Sequence, residues 1–297
     1  MKSSIQKLLR WYDKNGRDLP WRRTRDPYRI LVSEIMLQQT QVSRGLVFYD
    51  RWLEQFPNWK TLAKATNAEV IKAWAGLGYN RRALMLRDIA KQVIEEGEPK
   101  TQAAWEKLRG IGPYTSRAIA VFSLHERVLP IDTNIRRVCA RLLLGIPYPN
   151  LKNDEQIQKR VGVILPTGGR FYDVPQAIFD LATAVCTKMP DCMHCPMKSV
   201  CPSAKKFLSG RVKTPKAMIL KPTERKHPGK PYPDRIYRGR ILKAVREAPG
   251  TPALGLGPLV DESFKSSMDT KWVQAMVHRL EKERFIKITK GKLSLAE

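Results

Sequence analysis

No apolar run in this 297-residue chain approaches the roughly 20 residues that a membrane-crossing helix needs. Met1 to Pro20 lacks the apolar centre of a secretory signal peptide. Acidic side chains are scarce: 28 Asp and Glu stand against 54 Lys and Arg, a formal net charge of +26. Residues 1 to about 201 hold no convincing alternation of apolar and polar residues, and no internal repeat recurs. Cysteine is rare, five in all. Together these shortages argue against a membrane protein and against a sheet architecture for the first two-thirds of the chain. A cytoplasmic location follows as the expectation, where a reducing environment suits cysteines as metal ligands rather than as disulfides. The 42% of hydrophobic residues supply real cores, and the length suits one large or two smaller domains.

Charge and cysteine are the informative features that remain. So large a basic excess favours a polyanionic partner, most simply nucleic acid, over solubility alone. It does not separate DNA from RNA. Four of the cysteines, Cys186, Cys192, Cys195 and Cys201, are spaced C-x5-C-x2-C-x5-C. One zinc ion held by four thiolates fits such a set, and so does a 4Fe–4S cube. Separate zinc knuckles usually show two C-x2-C pairs with a long spacer, so the compact run leans toward the cube. Cys139 lies in a helical pattern and reads as a small buried apolar residue.

Residues 1 to about 201 read as almost wholly helical, with apolar residues at three- and four-residue spacing and glycine turns between segments. Ile5, Leu8, Leu9 and Tyr12 share one face of an amino-terminal helix that stops at Asn15-Gly16. Residues 202–234 are basic and proline-rich, with Glu224 the single acid up to Tyr232, and read as a poorly packed linker near a phosphate backbone. Residues 235–297 form a small module: helices over 235–248 and 270–284, then a hairpin in which Phe285–Ile288 and Leu293–Leu295 flank Thr289-Lys290-Gly291-Lys292. Helices followed by a hairpin suggest a winged-helix-like arrangement.

Three local patterns could carry chemistry. Leu108-Arg109-Gly110-Ile111-Gly112-Pro113-Tyr114-Thr115 can join two helices by a tight turn whose amides face a DNA phosphate. In Asp26 to Thr40, Asp26 caps a helix with Pro27 first, and Glu34 then sits in an apolar stripe. A carboxyl there is costly without a partner or a task, and desolvation raises its pKa toward what a general acid needs. Pairing with one of the many arginines is the plainer explanation. Asp132 is a good N-cap for the helix that follows, and could also steady a cationic sugar, with Asn134 placing water or the carboxylate.

Taken in order, these blocks resemble the endonuclease III/MutY superfamily of helix-hairpin-helix DNA glycosylases, over residues 1 to about 201. Leu19-Pro20-Trp21-Arg22, Ser33-Glu34 to Gln41-Val42, Gly76-Leu77-Gly78-Tyr79, Leu108 to Thr115, Ile131-Asp132-x-Asn134 and the cysteine run carry the likeness. The resemblance implies a mainly α, two-lobed glycosylase fold with a 4Fe–4S loop. It implies a monomer acting on double-stranded DNA with a mismatched or damaged base. The Glu34-to-Thr40 block looks most like the MutY branch, which removes adenine opposite 8-oxoguanine or guanine. Tyr114 stands where bifunctional lyases keep a lysine, so no Schiff base forms there and a monofunctional enzyme is implied. Tyr114, Arg22 to Tyr28 and Gly168-Gly169 also resemble thymine glycosylases for G·T mismatches; thymine or uracil excision is the alternative. A non-catalytic iron–sulfur DNA-binding protein is a further one.

By the resemblance, Glu34 protonates the base, while Asp132, with Asn134 beside it, stabilises the sugar cation. Tyr114 belongs to the same catalytic group. Leu19, Trp21 and Arg22 line the base pocket. Gln38, Gln39, Thr40 and Tyr79 meet the distorted duplex, Gly110, Gly112 and Thr115 hold its backbone, and the four cysteines hold the cluster. Two departures stand out: the first cysteine gap is one residue shorter than the family's usual spacing, and residues 235–297 are too short and helical for the family's Nudix-like reader of 8-oxoguanine.

Overall fold

The computed structural model describes residues 2–215, 224 and 226–297. Among these the chain is mainly helical, and its strands all lie beyond residue 250. No helix among them is long and apolar enough to cross a membrane. The helices are α1 (Lys2–Asn15), α2 (Pro27–Leu37), α3 (Val42–Gln55), α4 (Trp59–Lys64), α5 (Asn67–Ala73), α6 (Arg81–Glu96), α7 (Gln102–Lys107) and α8 (Pro113–Phe122). They continue as α9 (Thr133–Cys139), α10 (Asp154–Lys159), α11 (Val161–Ile164), α12 (Asp173–Ala184), α13 (Pro202–Leu208), α14 (Asp234–Glu247), α15 (Leu256–Val260) and α16 (Ser266–Lys282). Contacts divide the chain into one unit of Met1–Glu34 with Pro99–Lys221 and a second of Ile35–Glu98 with Pro222–Glu297.

In the first unit α1, α9 and α12 share a core. Ile5 and Leu8 of α1 belong to one cluster with Ile135, Val138, Ile178 and Leu181. Cys139 is fully buried in it, the small apolar role its helical setting predicts. Helices α7 and α8 form the hairpin built around Gly110, which takes a φ of 99° that a side chain would resist. A π-helical turn, Ala140–Leu144, extends α9 and ends on left-handed Gly145. The cysteine run closes on α13. Here the structure departs from a poorly packed linker starting at 202: Pro202 occupies the first helical turn, where its missing N–H costs nothing, and Ser203 and Ala204 are buried. Residues 216–223 and 225 of that expected linker lie outside the described residues.

In the second unit, α4 and α5 pack on α6, with Trp52 of α3 edge-on to Trp74 at 5.2 Å. The carboxy-terminal part is the expected helical module with a hairpin: α14, a short β1 (Thr251–Pro252), α15, α16, then β2 (Ile286–Thr289) and β3 (Lys292–Leu295). The antiparallel sheet runs β1-β3-β2. Lys290 and Gly291 both have positive φ, as a two-residue primed turn requires. Lys230, one of the basic residues of the stretch 202–234 expected near a phosphate backbone, is instead buried. Its Nζ lies 2.6 Å from both Asp261 and Asp269. Two neighbouring buried acids need a cation between them more than a surface does.

Candidate active site

Asp26 begins the site's scaffold by accepting the Tyr28 amide at 2.9 Å, and Pro27 starts α2. Ile30, Leu31, Val32, Ile35 and Met36 are all buried, so Glu34 interrupts a helix packed on nearly every side. Its side chain keeps some access to solvent, but its carboxyl is enclosed by protein. Tyr114, one residue beyond Pro113 at the start of α8, donates its hydroxyl to Glu34 Oε2 at 2.8 Å. Burial pushes the Glu34 carboxyl up to about 7; the Tyr114 hydrogen bond resists this rise and the charge of Asp132 adds to it. Tyr114 is held far above the ordinary phenol value by burial and by the same two carboxyl groups, so it stays a donor.

Asp132 caps α9 as its sequence position predicts. Oδ1 accepts the amides of Asn134 at 2.9 Å and Ile135 at 2.7 Å, and Oδ2 accepts Asn134 Nδ2 at 2.9 Å. Burial raises its pKa, opposed by these three donors and by Arg137. The two carboxyl groups therefore differ. Asp132 has donors suited to an anion, whereas Glu34 has one hydroxyl and more severe desolvation. Of the two, Glu34 is the one that holds a proton near neutral pH.

Asn134 extends this site toward the cysteines. Its Oδ1 accepts Arg137 Nη2 at 3.1 Å, and Arg137 Nε donates to the Cys186 carbonyl at 2.8 Å. Buried Arg141 reaches the same loop, with Nη1 3.3 Å from Cys186 Sγ and 2.7 Å from the Thr187 carbonyl. The charge of Cys186 reaches Cys192, Cys195 and Cys201, and that of Cys201 reaches Cys192 and Cys195. The Met197 amide points at the Cys195 sulfur, and those of Ser203 and Ala204 at Cys201. Burial pushes the Cys195 thiol up to about 11 and raises Cys192 and Cys201 as well. The amides aimed at Cys195 and Cys201 oppose that rise, as thiolate ligands require. Among the described residues no three Cys, His, Asp or Glu side chains converge as ligands of a single ion. A cube spreads its four ligands over four irons and makes no such demand.

The remaining residues fall into two groups. Leu19 is buried beside the 3₁₀ turn Pro20–Arg22, which carries Trp21. Arg22, expected in a base pocket, commits its guanidinium to Asp180 at 2.7 and 2.9 Å. Arg17 binds the same carboxylate through its backbone amide and Nε. Burial would raise the Asp180 pKa, but the two arginines outweigh it and hold it below its ordinary value. Arg22 thus braces the turn instead of pointing its charge into the site. Thr115 also departs from expectation: at 4% exposure its side chain is turned inward, leaving its backbone for any phosphate. Gly110 is exposed, and Gly112 is the N-cap of α8.

In the second unit Gln38 and Gln39 are exposed and Thr40 is half-buried, while Tyr79 is 48% exposed. Gln39 and Tyr79 have φ of 57° and 48°, a left-handed backbone that costs non-glycine residues energy. Buried Arg82 secures both. It donates to the carbonyls of Ile35 at 2.9 Å, Met36 at 3.1 Å and Gly78 at 3.1 Å, and also to that of Gln38. Its guanidinium lies 5.4 Å from the ring centroids of both Trp74 and Tyr79. Sequence reasoning missed Arg82, Arg137 and Asp180. Asp180 carried the signal that exposed Glu34, a carboxylate inside the apolar run Ala177 to Ala182. The adjacent pair Arg81-Arg82 gave no hint of which one is buried.

The pattern of the HhH-GPD superfamily base excision DNA repair proteins matches residues 32–165. The adenine DNA glycosylase of Mycobacterium tuberculosis (strain ATCC 25618 / H37Rv) is 37% identical over 195 residues, 64% of this chain and 64% of its own length. The chain thus spans somewhat less than two-thirds of that relative. The adenine DNA glycosylase of Mycolicibacterium smegmatis is 35% identical over 254 residues, covering 84% of this chain and 82% of its own. Among solved structures, a thermostable thymine-DNA glycosylase superposes with a TM-score of 0.63 at 29% identity, covering 69% of this chain and 96% of that one.

Two tests follow from this geometry. Arg82→Met should leave the fold intact but free the two left-handed residues, seen as faster hydrogen exchange at the amides of residues 38–41 and 78–80. Unchanged exchange there would remove Arg82 as their brace. The Glu34 pKa rises from 4.5 unfolded to about 7 folded, so the native state binds the extra proton and stability falls as pH rises between those values. Glu34→Gln should lack that slope and gain up to about 3 kcal/mol over the parent above pH 7. Parallel urea-unfolding curves from pH 5 to 8 for the two proteins measure it.

Proposed function

Because the chain belongs to the HhH-GPD superfamily of base excision DNA repair proteins, we propose that it is a monofunctional DNA glycosylase. It hydrolyses the N-glycosidic bond of adenine placed opposite 8-oxoguanine or guanine. The adenine assignment is supported by the named relatives of Mycobacterium tuberculosis and Mycolicibacterium smegmatis. The observation that carries the chemistry is the split pair: Glu34 keeps a proton near neutral pH while Asp132, with three donors, keeps a charge.

A base in a duplex is out of reach and must first leave the stack. The exposed residues Gln39 and Tyr79 are the side chains proposed to enter the distorted duplex. Glu34 then gives its proton to a ring nitrogen of adenine, and the C1′–N9 bond breaks with its electron pair leaving on the base. Asp132 faces the resulting oxocarbenium charge. The ionised Glu34 takes a proton from water as the hydroxide portion bonds to C1′, restoring the acid. Tyr114 offers a phenol and no amine, so water ends the reaction without a Schiff base.

The amides directed at Cys195 and Cys201 and the spacing of the run support Cys186, Cys192, Cys195 and Cys201 as holders of a 4Fe–4S cluster. Bound there, the group supplies a structural tie for the basic loop. In this reading residues 1–201 hold the glycosylase and 235–297 form a winged-helix-like module, joined through 202–234, a segment that opens with helix α13 and carries the buried Lys230. A second reading, thymine or uracil excision from mismatches, is favoured by the likeness to the thymine-DNA glycosylase.

A panel of mismatched duplexes treated with enzyme and then alkali should show adenine release from A·8-oxoG and A·G. Release of thymine alone would replace the first reading with the second, and silence on every duplex would reject both. Glu34→Gln should bind the mismatched duplex yet lose at least about a hundredfold in single-turnover rate. The parent rate should fall roughly tenfold per pH unit above about 7 as Glu34 ionises. Tyr114→Phe removes the bond that resists the rise in the Glu34 pKa, so this alkaline limb should move to higher pH. An unmoved limb would assign the titration to another group.

A further inference from the structure

The carboxy-terminal module separates its charges. Its acids are turned inward. Asp261 and Asp269 are buried on Lys230 at 2.6 Å each, and Glu281 Oε1 accepts the Ile288 amide at 3.1 Å. Glu283 pairs with Arg238 at 2.5 Å. Glu247, Glu262 and Glu297 are the exposed exceptions. The cations face out. On α16 the buried residues Val273, Met276, Val277 and Leu280 define the inner side. Ser267, Lys271, Ala275, His278 and Lys282 recur at three- and four-residue spacing on the exposed side, with Arg279 next to them. The hairpin that follows adds exposed Lys287, Lys290 and Lys292. Among the described residues, no ion pair engages Lys271, Arg279, Lys282 or these three lysines.

We propose that the outer face of α16 and the β2–β3 hairpin form a second docking surface for duplex DNA, acting on the phosphate backbone without reading sequence. With Asp269 neutralised by Lys230 and Glu281 engaged by the Ile288 amide, the exposed Lys271, Arg279 and Lys282 of α16 are left without acidic partners. The hairpin adds further exposed lysines to the same module. Such a set of cations gains most from a polyanion that releases counterions on contact. The apolar residues on this face are Met268 in the first turn of the helix and Ala275, and the exposed cations outnumber them, which favours a polyanion over a protein partner that needs an apolar centre. The surface lies outside the catalytic residues and does not depend on which base is excised.

The test is binding of the full chain to an undamaged duplex, followed by fluorescence anisotropy across a salt series. The triple variant Lys271→Ala/Arg279→Ala/Lys282→Ala should bind on the order of tenfold more weakly, with a salt slope lower by roughly two to three. Ala275→Lys, which adds a cation to the same face, should bind more tightly with a slope higher by roughly one, a gain that misfolding cannot produce. Base release at saturating enzyme should be unchanged in both. Affinity and slope equal to the parent in either variant would overturn the proposal. Failure of base release in the parent would concern the active site alone, since the binding measurement uses no reactive base.

Discussion

A carboxyl that stays protonated near neutral pH is the constraint on which the rest of the site depends. Glu34 is placed by a helix with almost no exposed side, and water is largely kept from its carboxyl. Left alone, a buried acid would simply be neutral and inert. Two neighbours make it useful. The Tyr114 hydroxyl limits the rise of its pKa and fixes which oxygen is already engaged. Asp132, better supplied with donors, takes the charged role. Desolvation therefore decides the difference between two chemically similar side chains, and hydrogen bonds set its size.

Arginines supply much of the framework around that pair, which changes the meaning of the basic composition. Arg22 secures the turn bearing Trp21 through Asp180. Arg82 gathers backbone carbonyls and permits two left-handed residues to persist. Arg137 and Arg141 fasten the cysteine loop, the first of them through Asn134 back to Asp132. A planar guanidinium with several fixed donors can satisfy several carbonyls at once, which lysine cannot do. Part of the +26 net charge thus braces the interior, while the exposed cations of α16 and the hairpin remain for a polyanion.

Local patterns made several of these features legible. Asp26-Pro27 and Asp132 mark helix starts by side-chain chemistry alone, and Lys290-Gly291 marks a tight hairpin. The cost of a carboxyl in an apolar stripe singled out Glu34 before any coordinates. What stayed hidden depends on residues distant in the chain. Tyr114 meets Glu34 across 80 positions and Arg22 meets Asp180 across 158. No periodicity encodes such pairings, so Arg22 read as a pocket cation. Lys230 misled for a related reason: within a run of surface-like lysines, only the later Asp261 and Asp269 draw it inward. Thr115 shows the limit of a motif, which fixes a backbone path without saying where each side chain turns.

The central claim is the proton on Glu34, and a carbon-13 NMR titration of its carboxyl, assigned by comparison with Glu34→Gln, tests it most directly. The account predicts a midpoint near 7, displaced upward from the ordinary 4.5. A midpoint at the ordinary value would mean that Glu34 is ionised at working pH, and it could then not be the acid that releases the base.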